Sequence, residues 1–169
     1  MTYVEAKNDF IQEWGVLGSS WGINKTEAQI HALLLLSPEP LSVEEIMDEL
    51  QVSRGNISMS LRSLMDWGIV YKKFKPNERK EYFASEKDVW RLATQVAQER
   101  QKRELKPILR MLESVTQMED KKANKAEVKE FKTMTTELHK FAKQCNKLLN
   151  GFVNADKSWF FSKVLRLFT

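Results

Sequence analysis

Apolar residues return every three or four positions along most of this chain, the rhythm of helices that bury one face. Val4, Phe10, Ile11, Trp14 and Leu17 fit one side of an N-terminal helix, Gly15 and Gly18 weaken its end, and GSSWG reads as a turn. Asn24 and Glu27 have the spacing of a capping box, so a second helix is predicted from about Lys25 through AQIHALLLL, apolar enough to sit at the centre of a core. SPEP ends it, because Pro38 and Pro40 lack backbone donors and force extended neighbours. Ser42 and Glu45 repeat the capping spacing before a short helix with Val43, Ile46, Met47 and Leu50 inward. Only Gln51 and Val52 then precede Ser53, a good N-cap, and the next helix turns Ile57, Leu61 and Leu64 inward. So tight a join makes a helix-turn-helix. Gly68, after Trp67, supplies a left-handed stop.

The period then shortens. IVYKKF and EYFA, joined by the turn-rich KPNERK, predict two strands of a β-hairpin, whose turn type stays open without an Asn-Gly pair. Three helices and a hairpin make a winged helix-turn-helix, a mainly α fold with a small β wing. Beyond it the chain reads as helical to its end. Ser85 with Asp88 is expected to cap a helix bearing Val89, Trp90, Leu92, Ala93, Val96 and Ala97, and Pro107 to kink it or begin another. QMEDKKANKAEVKE is polar and leads into a last long helix. There Phe131, Met134, Leu138, Phe141, Cys145, Leu148 and Phe152 succeed one another at spacings alternating between three and four. Held over three heptads, that alternation is a seam requiring an apolar partner, either a helix of the same chain or the equivalent helix of a second chain. The expected division is a winged helix-turn-helix domain over 1–104 and a helical dimerisation region over 105–169.

Composition narrows the class. A chain of 169 residues can bury a core without staples, and its single cysteine excludes an internal disulfide. It begins with no signal-peptide pattern and contains no apolar run near the roughly 18 residues of a membrane span, so a soluble cytoplasmic protein is expected. The net charge is only +4. Between Ser53 and Phe83, however, seven basic residues face three acidic ones, an excess equal to that of the whole chain.

That local charge gives meaning to SRGNISMSLRSL, whose small polar residues are mediocre helix formers. With the apolar stripe turned inward, Ser53, Arg54, Gly55, Asn56, Ser58, Met59, Arg62 and Ser63 lie along the first turn and outer sides of the helix. Small residues admit a close DNA backbone, Asn and Arg can read adenine and guanine, and Met59 can touch a thymine methyl. Lys73, Lys75, Arg79 and Lys80 follow where a wing can reach a phosphate or a minor groove. A helical extension on such a head favours the second chain as the seam's partner.

The stretches LLLLSPEPLSVEEIMDELQVSRGNISMSLRSLMDWGIVYKK and NERKEYFASEKDVWRLA resemble the GbsR branch of the MarR-type transcriptional regulators, over at least Trp14 to Arg103. The resemblance implies a dimeric winged-helix repressor or activator, with N- and C-terminal helices at the dimer interface. It also implies a small effector, choline or glycine betaine in the branch controlling osmoprotectants. The helix and wing residues named above occupy the DNA-reading positions of that family, whereas the chain after about Lys106 matches no motif of it.

Other chemistry is sparse. Aromatic faces hold quaternary ammonium groups, and Trp14, Trp21, Trp67 and Trp90 fall near helix junctions, yet core and dimer packing is the favoured account of them and no effector site is assigned. Cys145 reads as a small buried hydrophobe on the seam. His31 and His139 lack neighbouring ligands, so no metal is expected, and neither a phosphate loop nor a nucleophile elbow points to a cofactor or an enzyme. Two other readings remain: a winged-helix module that docks an acidic protein, and a membrane-surface role for SWFFSKVLRLF, which otherwise docks into the helical bundle.

Overall fold

A computed structural model describes residues 1–119 and 123–168. The chain divides into two compact units, Met1–Leu92 and Ala93–Thr169, a break that falls before the 104/105 boundary suggested by the sequence.

In the first unit, helix α1 (Tyr3–Ser20) starts from a capping box between Thr2 and Glu5 and runs on through Gly15 and Gly18. The turn expected over GSSWG begins only at Trp21, with Gly22 left-handed at φ 76°. These two glycines are notches for α2 (Lys25–Leu36) rather than breakers. A Cβ on Gly18 would stand 2.5 Å from the Cβ of Ala28, and one on Gly15 would stand 2.7 Å from Cγ of Gln29. The buried stripe is therefore Ile11, Gly15 and Gly18, while Val4 and Leu17, expected inward, are exposed.

Helix α2 is buried almost all round, through Ala28, Ile30, His31, Ala32, Leu33 and Leu34, which makes it the centre of this unit. Asn24 caps it by accepting from the amides of Thr26 and Glu27. Its other end is closed from a distance: Nζ of Lys87 donates to the carbonyls of Leu34, Leu35 and Ser37 at 2.6–2.8 Å. Cations are favoured there because the last carbonyls of a helix have no intrahelical partner.

The extended residues after the prolines form a short strand, β1 (Leu41–Ser42), too short for any alternation to announce it. Helix α3 (Val43–Leu50) follows from the Ser42–Glu45 capping box, with Ile46 fully buried and Val43, Met47 and Leu50 half-buried. Gln51 takes the left-handed terminator position at φ 54°, and α4 (Arg54–Asp66) begins three residues later. Strands β2 (Val70–Lys73) and β3 (Tyr82–Ser85) pair antiparallel, from Val70 opposite Ser85 to Lys73 opposite Tyr82. β1 joins on the far side of β3, placing Leu41 against Phe83, so the sheet order is β1-β3-β2. A winged helix-turn-helix is the result.

Helix α5 (Val89–Arg100) is capped by Asp88, whose Oδ1 accepts from the amides of Trp90 and Arg91 at 2.8 and 3.1 Å. Ser85, expected to share that role, instead ends β3 with its hydroxyl on the carbonyls of Ile69 and Glu86.

In the second unit, five residues of π-helix (Gln101–Leu105) precede α6 (Lys106–Thr116). Pro107 lacks the N–H that would close the preceding α-turn, and the wider turn absorbs the defect before a new helix begins. Asn124 caps α7 (Lys125–Val153), and α8 (Lys157–Phe168) completes the chain. Its side chains from residue 163 onward, and residues 120–122 of the polar stretch before α7, lie outside the described residues.

Candidate nucleic-acid interface

Helix α4 is fixed from behind. Ile57, Leu61, Leu64 and Ser60 are buried, and the amide of Ile69 donates to the carbonyl of Leu64 across the left-handed Gly68, a closure that satisfies the last turn. Its outward stripe carries Gly55, Ser58, Met59 and Arg62, all exposed, with Met59 at 70%.

Two of the expected reading residues stand elsewhere. Asn56 is half-buried against α2; its Nδ2 donates to Oγ1 of Thr26 at 3.4 Å and its Oδ1 accepts from the Ser60 hydroxyl at 3.5 Å. Ser63 is also half-buried and donates to Oε1 of Glu27 at 2.9 Å. Asn56, Ser60 and Ser63 thus form a polar flank along the α2–α4 seam. The signal was available in Thr26 and Glu27, which place a polar first turn on a helix otherwise packed into the core.

Arg54 is exposed but engaged, its guanidinium bonded to the carboxylate of Glu44 on α3. That bond, with backbone contacts and the Arg54 and Lys80 charges, holds Glu44 below the usual carboxylate range. Beside it, Glu45 is lowered first by the amide and hydroxyl of Ser42, then by Lys75 and Lys80. The acidic head of α3 therefore sits between the basic start of α4 and the basic wing.

On the wing, Lys73, Arg79 and Lys80 are exposed. Lys75 is half-buried, with Nζ 4.1 Å from the centre of the Tyr82 ring, a cation–π contact that folds the side chain back onto the hairpin. The Tyr82 hydroxyl donates to Glu78, and Asn77, left-handed at φ 64°, shapes the tip. Lys72 and Glu81 bridge the strands at 2.7 Å.

A second surface lies on α7. The side packed within its own unit carries Val128, Lys132, Thr135, His139, Ala142, Asn146 and Leu149, with Thr135 and Ala142 buried. α6 runs against α7, and small residues allow a close approach. The buried Gln101 pins the contact by donating to the side-chain oxygens of Asn146 and Asn150 at 2.8 and 2.9 Å. The seam read from the sequence is one residue out of step, about 100° around the helix. Phe131, Met134, Leu138, Phe141 and Leu148 on it are 40–75% exposed, while Cys145 and Phe152 are half-buried.

Of the tryptophans near helix junctions, Trp21 is 57% exposed and Trp14, Trp67 and Trp90 are half-buried. Trp14 stacks on Phe10 at 5.3 Å and lies 6.1 Å from the ring of His31. Among the described residues, Nε2 of His31 and Nε2 of His139 are buried without a hydrogen-bond partner, and no three His, Cys, Asp or Glu side chains gather to hold a metal ion. None of the described helices is long and apolar enough to cross a membrane.

An inwardly anchored helix with an exposed polar stripe, preceded by a tight turn and followed by a basic hairpin, defines a winged helix-turn-helix. Residues 26–72, from α2 into β2, match the sequence profile of the arsR family of bacterial regulatory proteins. A solved structure described as the crystal structure of a transcriptional regulator shares the fold, with a TM-score of 0.56 at 15% identity over 86% of this chain and 98% of that one. A search of curated proteins finds no match. The comparisons carry the helix-turn-helix fold and leave the GbsR branch as a resemblance of sequence.

Proposed function

We propose that the chain is a sequence-specific DNA-binding transcriptional regulator of the MarR/GbsR type that binds a pseudo-palindromic operator as a homodimer. The observation that carries this reading is the outward stripe of α4, where Ser58, Met59 and Arg62 stand exposed on a rigidly backed helix beside the basic wing. Met59 and Arg62 supply an apolar contact and a bidentate donor for base edges, while Arg54, Lys73, Arg79 and Lys80 supply phosphate contacts. Asn56 and Ser63 join them only after giving up their bonds to α2. In the dimer, two copies of the exposed α7 seam cover each other, and two α4 helices enter major grooves about one helical turn apart. The function is binding rather than catalysis, and the sequence resemblance adds a small quaternary ammonium effector such as choline or glycine betaine.

Selection of bound sequences from random DNA tests the whole reading, since it predicts recovery of a palindrome. On that operator, Arg62→Ala costs about 1–3 kcal/mol and relaxes preference at one position of each half-site. Equal weakening on operator and random DNA would reduce Arg62 to a phosphate contact. Absence of DNA binding in a gel shift at low salt would favour an acidic protein partner instead.

A further inference from the structure

Phe74 is the first residue past β2, on the way into the wing turn, and it is 73% exposed. The hairpin does have buried positions for large side chains: Val70 and Phe83 are buried, and Tyr82 is covered by Lys75. Phe74 uses none of them. An aromatic ring held in water forfeits roughly 1.5–3 kcal/mol of burial, which a partner outside the protomer would restore.

The surroundings say what kind. Lys73, Arg79 and Lys80 are exposed on the same hairpin, Lys72 is exposed but bridged to Glu81, and Lys75 is folded against Tyr82. A hydrophobic protein surface would have to desolvate those charges, whereas a polyanion with apolar interior faces would satisfy both the cations and the ring. Duplex DNA has that construction, with phosphates outside and stacked bases within.

We infer that Phe74 is an apolar wedge, carried by the wing into the minor groove and seated between two stacked base pairs, so that the operator is kinked beneath each wing. The inference rests on the DNA-binding reading and adds to it a mode of recognition, by deformability rather than by base edges. Pyrimidine–purine steps unstack most readily, so the sequence preference under the wing is for TA or CA/TG steps at a position that no side chain reads directly.

The test uses the full-length protein and a selected operator carrying 2-aminopurine at the step beneath the wing. Binding of the wild type is expected to raise the fluorescence of the unstacked base and to bend the DNA in a circular-permutation gel assay. Phe74→Ala loses both signals and binds roughly 5- to 100-fold more weakly, the range of a single base–aromatic stacking contact. Phe74→Leu, which keeps an apolar wedge, retains most of the bend. Because the side chain is exposed, both variants melt at the wild-type temperature. If Phe74→Ala binds and bends the operator as the wild type does, the wedge is wrong and the DNA-binding reading stands. If the variant changes only the sedimentation of the protein, Phe74 is a protein contact and the wedge is again overturned. If the wild type selects no sequence at all, both readings fall together.

Discussion

At Gly18 the backbone of α1 passes so close to α2 that a single methyl group would lie 2.5 Å from the Cβ of Ala28, an atom with nowhere to move. Gly18→Ala should therefore destabilise the protein by about 1–3 kcal/mol, as overpacking does. Gly15→Ala is a matched control, because its nearest obstacle is the flexible side chain of Gln29 and alanine is the better helix former by about 1 kcal/mol. Urea denaturation should separate the two variants, and equal midpoints would remove the notch. His31, on the facing side of α2, makes a second residue-scale prediction. It is 5% exposed, and burial, reinforced by the charge of Lys87, pushes its imidazole down to about 4. The unfolded chain takes up that proton near pH 6.5, whereas the fold resists it until about pH 4. Stability from the neutral ring is thus fully present above 6.5 and is lost as the pH falls toward 4, by about 3 kcal/mol across the window. His31→Phe should flatten this part of the pH profile of the urea midpoint. A wild-type profile level through the same window would show that the site accepts the charged ring.

At the scale of elements, α3 controls what α4 and the wing present. Glu44 holds Arg54, and both Glu44 and Glu45 lie in the field of Lys80, so on the DNA-binding reading these carboxylates would compete with phosphate for the same cations. Glu44→Gln should tighten binding a few-fold on operator and random DNA alike, the modest scale of an exposed ion pair. Gel-shift titrations on both sequences would show it; a gain on the operator alone would mean that Glu44 acts through base reading. The elements themselves were largely legible, because capping residues such as Ser42, Ser53 and Gly68 act locally and leave a mark in sequence. What escaped depends on neighbours distant in the chain. Gly15 and Gly18 read as helix weakeners until Ala28 and Gln29 are set against them. Asn56 and Ser63 read as outward until Thr26 and Glu27 supply bonds on the inner side. The two-residue β1 has no pattern of its own, and only β3 makes it a strand.

For the molecule as a whole, the decisive feature is that α7 carries two stripes with different tasks. The inner one, with Thr135, Ala142 and Asn146, contains the weaker apolar signal, yet it is the one packed against α6 and tied to Gln101. The outer one holds the strongest heptad pattern in the chain and leaves Leu138 and Phe141 51% and 64% exposed. A seam this apolar is an unusual surface for a lone protomer, and on the homodimer reading its twin covers it. Leu138→Glu and Phe141→Glu put charges on the outer stripe without touching the inner one. Each should give a folded monomer, with helical content and melting of the first unit retained, as seen by circular dichroism and sedimentation. Operator affinity should fall on the order of 100-fold or more, because each half-site must then be bound without the high effective concentration that a tethered second head provides. Ala142→Leu makes the contrasting case: it fills the close contact inside the unit and should disturb its folding rather than its association alone. A dimer that survives both glutamates would move the interface off α7 and leave the outer stripe to some other partner.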